Sequence, residues 1–351
     1  MTREDGLSRR LSKAIFAHDF LRYPFPGTAR PGWQKEWLHF CVLNPEIELL
    51  VNLNISGDTR PAAAPGTRAA RMVLLAHTGE WHGDIETIDA RAVTAIPGEV
   101  GMTLGQNFVR FREDRFELVA ALQSQSLVVD LRLQPETVPL AMDGEVPVAR
   151  GSIGWFVLPR LTASGRVIAD RRVFELNETP AYHDHNWGHW LWGDDFCWEW
   201  GFTHFASGAE IWTAVFDRTL NRARTRLLEA TLALWRDAEL VKIFSRKEIT
   251  VRPLAYSAPK TLLRIPKPLA LAVPQLGRDV PREFHVNAAS GSDRVSLLLR
   301  TENEAQVLVP NETDLETTII TEVTGQVAIE GSIKDMHISG SGKGLFEFLT
   351  I

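Results

Sequence analysis

His183, Asp184, His185, Asn186, Trp187 and Gly188 bring two imidazoles, a carboxylate, an amide and an indole into six consecutive positions. Their surroundings keep the same character. Residues 182–212 hold six of the chain's eleven tryptophans (187, 190, 192, 198, 200 and 212) and four of its ten histidines (183, 185, 189 and 204). Asp184, Asp194, Asp195, Glu199 and Glu210 add carboxylates. A core needs apolar bulk but not this much titratable chemistry, and a solvated loop would not carry this much indole. Aromatic walls with a few polar groups are what a ligand pocket requires.

Pro180 precedes the stretch and Asn-Trp-Gly closes it, so 182–187 is expected to be extended. Side chains then alternate: Tyr182, Asp184 and Asn186 point one way, His183, His185 and Trp187 the other. Three chemistries compete. The first is proton transfer. An Asp in an apolar pocket resists ionisation and can act as an acid on a carbon–carbon double bond, while indole faces stabilise the cation that follows. The second is a metal site drawn from His183, His185, His189 and His204 with nearby carboxylates, although no HExxH pattern is present. The third is structural: tryptophans plugging a barrel end, Asp184 capping a turn, histidines bonded to backbone carbonyls. The proton-transfer reading makes Asp184 the acid, with Tyr182, His183 and His185 as catalytic neighbours. Asn186, Trp187, Trp198, Trp200, His204 and Trp212 are then the candidate substrate-binding groups, and no metal or other cofactor is expected.

The rest of the chain must position this window. Residues 7–22 alternate basic and apolar side chains at helical spacing, which predicts a short helix packed on the body; the competing reading is peripheral contact with a membrane. Tyr23-Pro24-Phe25-Pro26-Gly27 breaks any helix. Short β-type runs follow at 37–43, 47–55, 71–78, 115–122 and 126–133, and resume at 209–217, 224–235, 282–290, 294–301 and 317–333. The run 224–235 has helical propensity but reads as strand among its neighbours. Residues 57–69 and 134–150 read as long loops, and the proline-rich 258–281 as an irregular excursion. Many strands without alternating helices predict barrels or sandwiches. The expected organisation is an N-terminal helix and arm (1–30), one β domain (31–188) and a second (189–351).

Composition sets outer bounds. At 351 residues the chain can bury a substantial core without staples. A net charge of −6 with no basic run argues against a nucleic-acid surface. Cys41 and Cys197, the only cysteines, provide no disulfide framework and fit a reducing, cytoplasmic setting. No apolar run is long enough to span a bilayer, and the first residues lack the apolar core of an export signal. The glycines near the C terminus precede no dinucleotide-binding unit.

The segment AYHDHNWG (181–188) resembles the signature of the hydroxyneurosporene synthase and AttH-like group, the carotenoid 1,2-hydratase superfamily. The Trp-rich DFCWEWGFTHFASG (195–208), the upstream residues 151–176 and the closing GLFEFL (344–349) are similar to the same pattern. The resemblance implies two lipocalin-like (calycin) antiparallel β-barrel domains and a hydrophobic pocket for a long isoprenoid or polyene. It implies cofactor-independent hydration, cyclisation or isomerisation of a C=C bond, with Asp184 in the acid position and Tyr182, His183, His185 and Trp187 beside it. Lipocalin-like pericyclases and non-catalytic lipid carriers on the same fold stand as alternatives, because fold travels further than activity.

Overall fold

The short apolar runs become long strands because every second side chain finds an apolar neighbour on one face of a pleated sheet. The structure, a computed structural model, describes residues 3–22, 33–58, 68–142, 144–256, 262–273 and 280–350. The expected helix break at 23–27 and most of the loop at 57–69 lie outside these residues. The architecture is all-β, with two antiparallel sheets, one of them nearly closed into a barrel. The chain divides into two compact units, Met1–Leu191 and Trp192–Ile351.

In the first unit Trp33–Leu43 lies between Glu48–Asp58 and Arg172–His189. Arg172–His189 pairs on its other side with Gly151–Ala169, which pairs in turn with Leu127–Pro135. One face of this sheet encloses a core that includes Phe40, Val51, Leu74, Phe116, Leu131 and Phe156. The segment expected as a loop at 134–150 contains two short strands, Leu140–Ala141 and Val146–Val148, both paired to Gly151–Ala169.

The N-terminal helix is Arg3–His18. Leu11 and Ile15, four residues apart and so on one face, are buried. Ser8 and Ser12 donate to the Asp114 carboxylate at 2.7 and 2.6 Å, and Phe16 meets Phe111 edge-on at 5.3 Å. The apolar stripe is therefore used against the body of the unit. No helix among the described residues is long and apolar enough to cross a membrane.

In the second unit Cys197–Ser207 lies between Glu210–Leu220 and Met336–Thr350. Its core includes Phe205, Phe216, Leu232, Phe284, Phe346 and Phe348. Leu227–Arg236 is a strand despite its helical propensity, because Ala230, Leu232 and Leu234 alternate into that core. The excursion at 258–281 contains a three-residue strand, Leu263–Ile265, and a six-residue helix, Lys267–Ala272.

Candidate functional site

The strand Arg172–His189 carries the signature, and its alternation sorts the signature onto two faces. Ala181, His183, His185 and Trp187 fall on the core face; Tyr182, Asp184 and Asn186 fall on the opposite one.

On the core face the two histidines meet carboxylates from far upstream. Asp19, just past the N-terminal helix, sits between them: Oδ2 is 3.0 Å from His183 Nε2, and Oδ1 is 2.9 Å from His185 Nδ1. Glu36 Oε1 lies 2.8 Å from His185 Nε2. His183 Nδ1 donates to the His39 carbonyl oxygen at 3.0 Å, since a carbonyl only accepts. All four side chains are 0 % exposed. Burial works against charge on His185, but its hydrogen bonds to Asp19 and Glu36 outweigh that and raise its pKa. Burial likewise opposes ionisation of Asp19, yet His183 and His185 hold its pKa below the ordinary value. Each of the four ring nitrogens faces an oxygen acceptor: two from Asp19, one from Glu36 and one from the His39 carbonyl. Phe40 stacks on His183 with centroids 4.1 Å apart.

Trp187 is enclosed on the same face. The Arg22 guanidinium lies 3.4 Å from its ring centroid, and Arg22 N–H donates to Glu36 at 2.8 Å. A Cβ added to Gly154 would come within 2.2 Å of the indole. Gly188, at φ +149°, lets the strand pass the Ser152 carbonyl, which a Cβ would meet at 2.2 Å. The Trp-Gly of the signature is thus a packing device, with Trp187 in the core.

The other face carries Tyr182, Asp184 and Asn186. Tyr182 O–H donates to Asp184 Oδ2 at 2.9 Å, and Asn186 Nδ2 donates to Oδ1 at 2.8 Å. In register beside them on Trp33–Leu43 stand Cys41 opposite Tyr182, His39 opposite Asp184 and Trp37 opposite Asn186. Trp155 flanks Asn186 from the other side. His39 Nε2 lies 2.9 Å from Cys41 Sγ, and Asn52 Nδ2 donates to His39 Nδ1 at 3.3 Å. Burial, with His183 behind it, pushes the His39 pKa down to about 3, so this ring is neutral.

The structure therefore brings Tyr182, Asp184 and Asn186 together and places His183, His185 and Trp187 on the core face. The remaining candidates belong to the second unit. Trp198, Trp200 and His204 lie on the face of Cys197–Ser207 opposite its core. Trp198 Nε1 donates to Glu347, and His204 Nδ1 is 3.1 Å from Thr213 Oγ1. Trp212 is in the core, stacked on Phe205. Nearby, Asp217 is pushed up to about 7 by burial and by Glu229, Glu199 and Glu347. Burial likewise raises Glu347, against the bond from Trp198. Among the described residues no group of three or more His, Cys, Asp or Glu side chains is arranged to hold a metal ion.

Local spacing does not reveal Asp19, Arg22 or Glu36, because they reach the histidines through tertiary packing. His39 and Cys41 had a usable signal. They alternate with Leu38, Phe40 and Val42 in the run WLHFCVL, as Asn52 and Asn54 alternate with apolar residues in IELLVNLNI. Two strands with polar groups on one face are candidates to pair.

No protein-family model and no curated protein sequence matches the chain. Solved structures do. An AttH protein of Nitrosomonas europaea aligns over 94% of this chain and 96% of its own at TM-score 0.61 and 11% identity. Kievitone hydratase of Nectria haematococca covers 91% and 90% at TM-score 0.52 and 14% identity. CghA, in a structure with Sch210972, covers 95% and 97% at TM-score 0.55 and 14% identity. At these identities the likeness shows a shared lipocalin-like fold.

Proposed function

We propose that the chain is a cofactor-independent proton-transfer enzyme for a long, apolar, unsaturated substrate, hydrating, cyclising or isomerising a C=C bond. The observation that carries this reading is the Asp184 carboxylate, which receives Tyr182 O–H on one oxygen and Asn186 N–H on the other. Those donors suit the conjugate base of an acid. Asp184 enters the cycle protonated and gives its proton to an alkene carbon. The new C–H bond forms from the π pair, and the charge left on Asp184 is met by two donors already in place. Trp37 and Trp155 stand opposite Asn186 on the two neighbouring strands, and an indole there can stabilise an adjacent cation. Water then adds to the cation and returns a proton to Asp184, which is hydration. Loss of a neighbouring C–H proton to Asp184 instead gives isomerisation; attack of an internal C=C on the cation, which forms the ring C–C bond and moves the charge to a new carbon, followed by the same proton loss, gives cyclisation. Either way the carboxyl is regenerated and the protons balance.

Two features support this reading over a histidine-centred one. His183 and His185 are sealed against Asp19 and Glu36. The kievitone hydratase fold likeness places a hydratase by name on the same architecture.

The test is incubation with linear polyenes and isoprenoids in deuterated water, with Asp184→Asn alongside. The expected product carries one deuterium on carbon, and the variant loses turnover by roughly 100-fold or more. Conversion without carbon-bound label would replace this reading with a pericyclic one. Unchanged ligand recovered from both proteins would replace it with a carrier.

A further inference from the structure

The sheet face that carries Asp184 continues beyond Asn52 and Asn54 onto two further strands. Arg68–His77 pairs with Glu48–Asp58, and Trp81–Ile88 pairs with Arg68–His77. Ala70, Met72, Leu74 and Ala76 enter the core of the first unit, so alternation puts Arg71, Val73 and Leu75 on the face of Asp184. Register then draws one row of side chains across four strands: Asn186, Trp37, Asn54 and Arg71. The neighbouring row is Asp184, His39, Asn52 and Val73. Beside that row Cys41, Leu50 and Leu75 are buried and apolar. The face is thus acidic at one end, apolar along one flank and cationic three strands away.

Arg71 is half-buried and has no acid to meet. Its cross-strand neighbours are Asn54 and Thr87, and the diagonal positions are Asn52, Ser56 and Ile85. Asp89, just past Trp81–Ile88, is paired with Arg91 at 2.5 Å. Asn54 Nδ2 donates to Asn52 Oδ1 at 3.1 Å, and Asn52 donates in turn to His39, so both amides are turned toward the row of Asp184. Among the described residues no hydrogen bond or ion pair holds the Arg71 guanidinium. Lys35, on the same face, is already engaged: its Nζ donates to the Trp190 carbonyl at 2.7 Å.

We propose that Arg71 binds a single carboxylate at one end of the substrate, which sets the reacting C=C bond at Asp184 and far from that end.

The placement of the C=C bond rests on the proton-transfer reading of Asp184; the anchor does not. A guanidinium fork matches a carboxylate with two parallel N–H···O bonds. Beside buried Val73 its charge is less screened than at an open surface, so an anion there is held more firmly. One cation among the neutral neighbours Asn54 and Thr87 matches one negative charge, whereas a diphosphate would leave charge unmet. Three inter-strand spacings separate the strands of Arg71 and Asp184, about 14 Å. A double bond conjugated to the carboxylate cannot reach both groups. The substrate class is therefore a long unsaturated carboxylic acid that reacts at a remote C=C bond.

Tryptophan-fluorescence titration of the full chain at about pH 8, where a carboxylic acid is ionised, tests the anchor. The probes share one linear polyene chain and end in a free acid, a methyl ester or a phosphate monoester. The acid should bind about 10- to 100-fold more tightly than the ester. Arg71→Gln should bring that ratio close to one, and Arg71→Lys should keep part of it, because the charge remains and the fork is lost. The ratio is read within one protein, so a general loss of affinity does not imitate the effect. Arg71→Met replaces the Gln variant if that one does not fold. Equal binding of acid and ester by the wild type would overturn the proposal. So would a preference that survives in Arg71→Gln, or a phosphate monoester that binds more tightly than the acid. In deuterated water the label should sit on a carbon remote from the carboxylate, as located by fragment masses; label next to the carboxylate would overturn the placement. An acid preference that depends on Arg71, with no label incorporated at all, would reject the proton-transfer reading and leave the anchor standing.

Discussion

Asp184 is distinguished at the residue scale by the donors it receives. Asp19 and Glu36 take theirs from imidazoles, and Glu199 takes its own from Arg218 and Arg224. Those are ion pairs that neutralise a buried charge. Asp184 receives the neutral donors Tyr182 and Asn186. Tyr182→Phe removes one donor to the ionised form and keeps the ring packed. The pH–rate profile of the variant should move to higher pH, with the maximal rate reduced about tenfold. A profile unchanged in position would show that Tyr182 does not act through Asp184. Cys197 lies outside this chemistry: burial pushes its thiol up to about 11, so alkylation at neutral pH should be slow.

One strand with two functional faces is the main device at the scale of elements. Its alternation was legible in the sequence: Tyr182, Asp184 and Asn186 do share a face, opposite His183, His185 and Trp187. What each face meets was not legible, because that depends on register with Trp33–Leu43 and on a segment ending at Arg22. His183 and His185 adjoin Asp184 in sequence, but the pleat puts them on the opposite face, where Asp19 reaches His183 from 164 residues away. Trp187 shares their face. Its indole has the Arg22 guanidinium over its ring and the bare Cα of Gly154 against it, and that fit makes a prediction. Gly154→Ala forces a methyl into the ring and should destabilise the protein by about 1–3 kcal/mol, read from the denaturant midpoint. The pairing of Gly151–Ala169 with Arg172–His189 should loosen locally. Equal exchange protection in that hairpin for both proteins would remove the argument.

For the molecule as a whole, the buried charges of the two units respond to pH in one direction. In the first unit burial opposes charge on His185 but its bonds to Asp19 and Glu36 raise it, so its contribution is lost as the pH rises through its folded value. In the second, Asp217 is half-buried among Glu229, Glu199 and Glu347, and its pKa moves from 3.8 to about 7. A raised carboxyl favours the protonated fold: its contribution is complete below about pH 4 and is lost as the pH rises to about 7. Glu347, also raised, acts with the same sign. Asp19, lowered, supplies the opposing limb in acid. Stability should therefore be greatest at mildly acidic pH and fall toward alkali. Asp217→Asn separates the contributions, because the amide keeps the shape of the protonated acid and cannot ionise. Melting curves should coincide with wild type near pH 4 and lie above it near pH 8, by about 1–3 kcal/mol after allowance for partial exposure. A variant less stable than wild type at both values would mean that Asp217 is held as a carboxylate, and that the alkaline loss originates in the first unit alone.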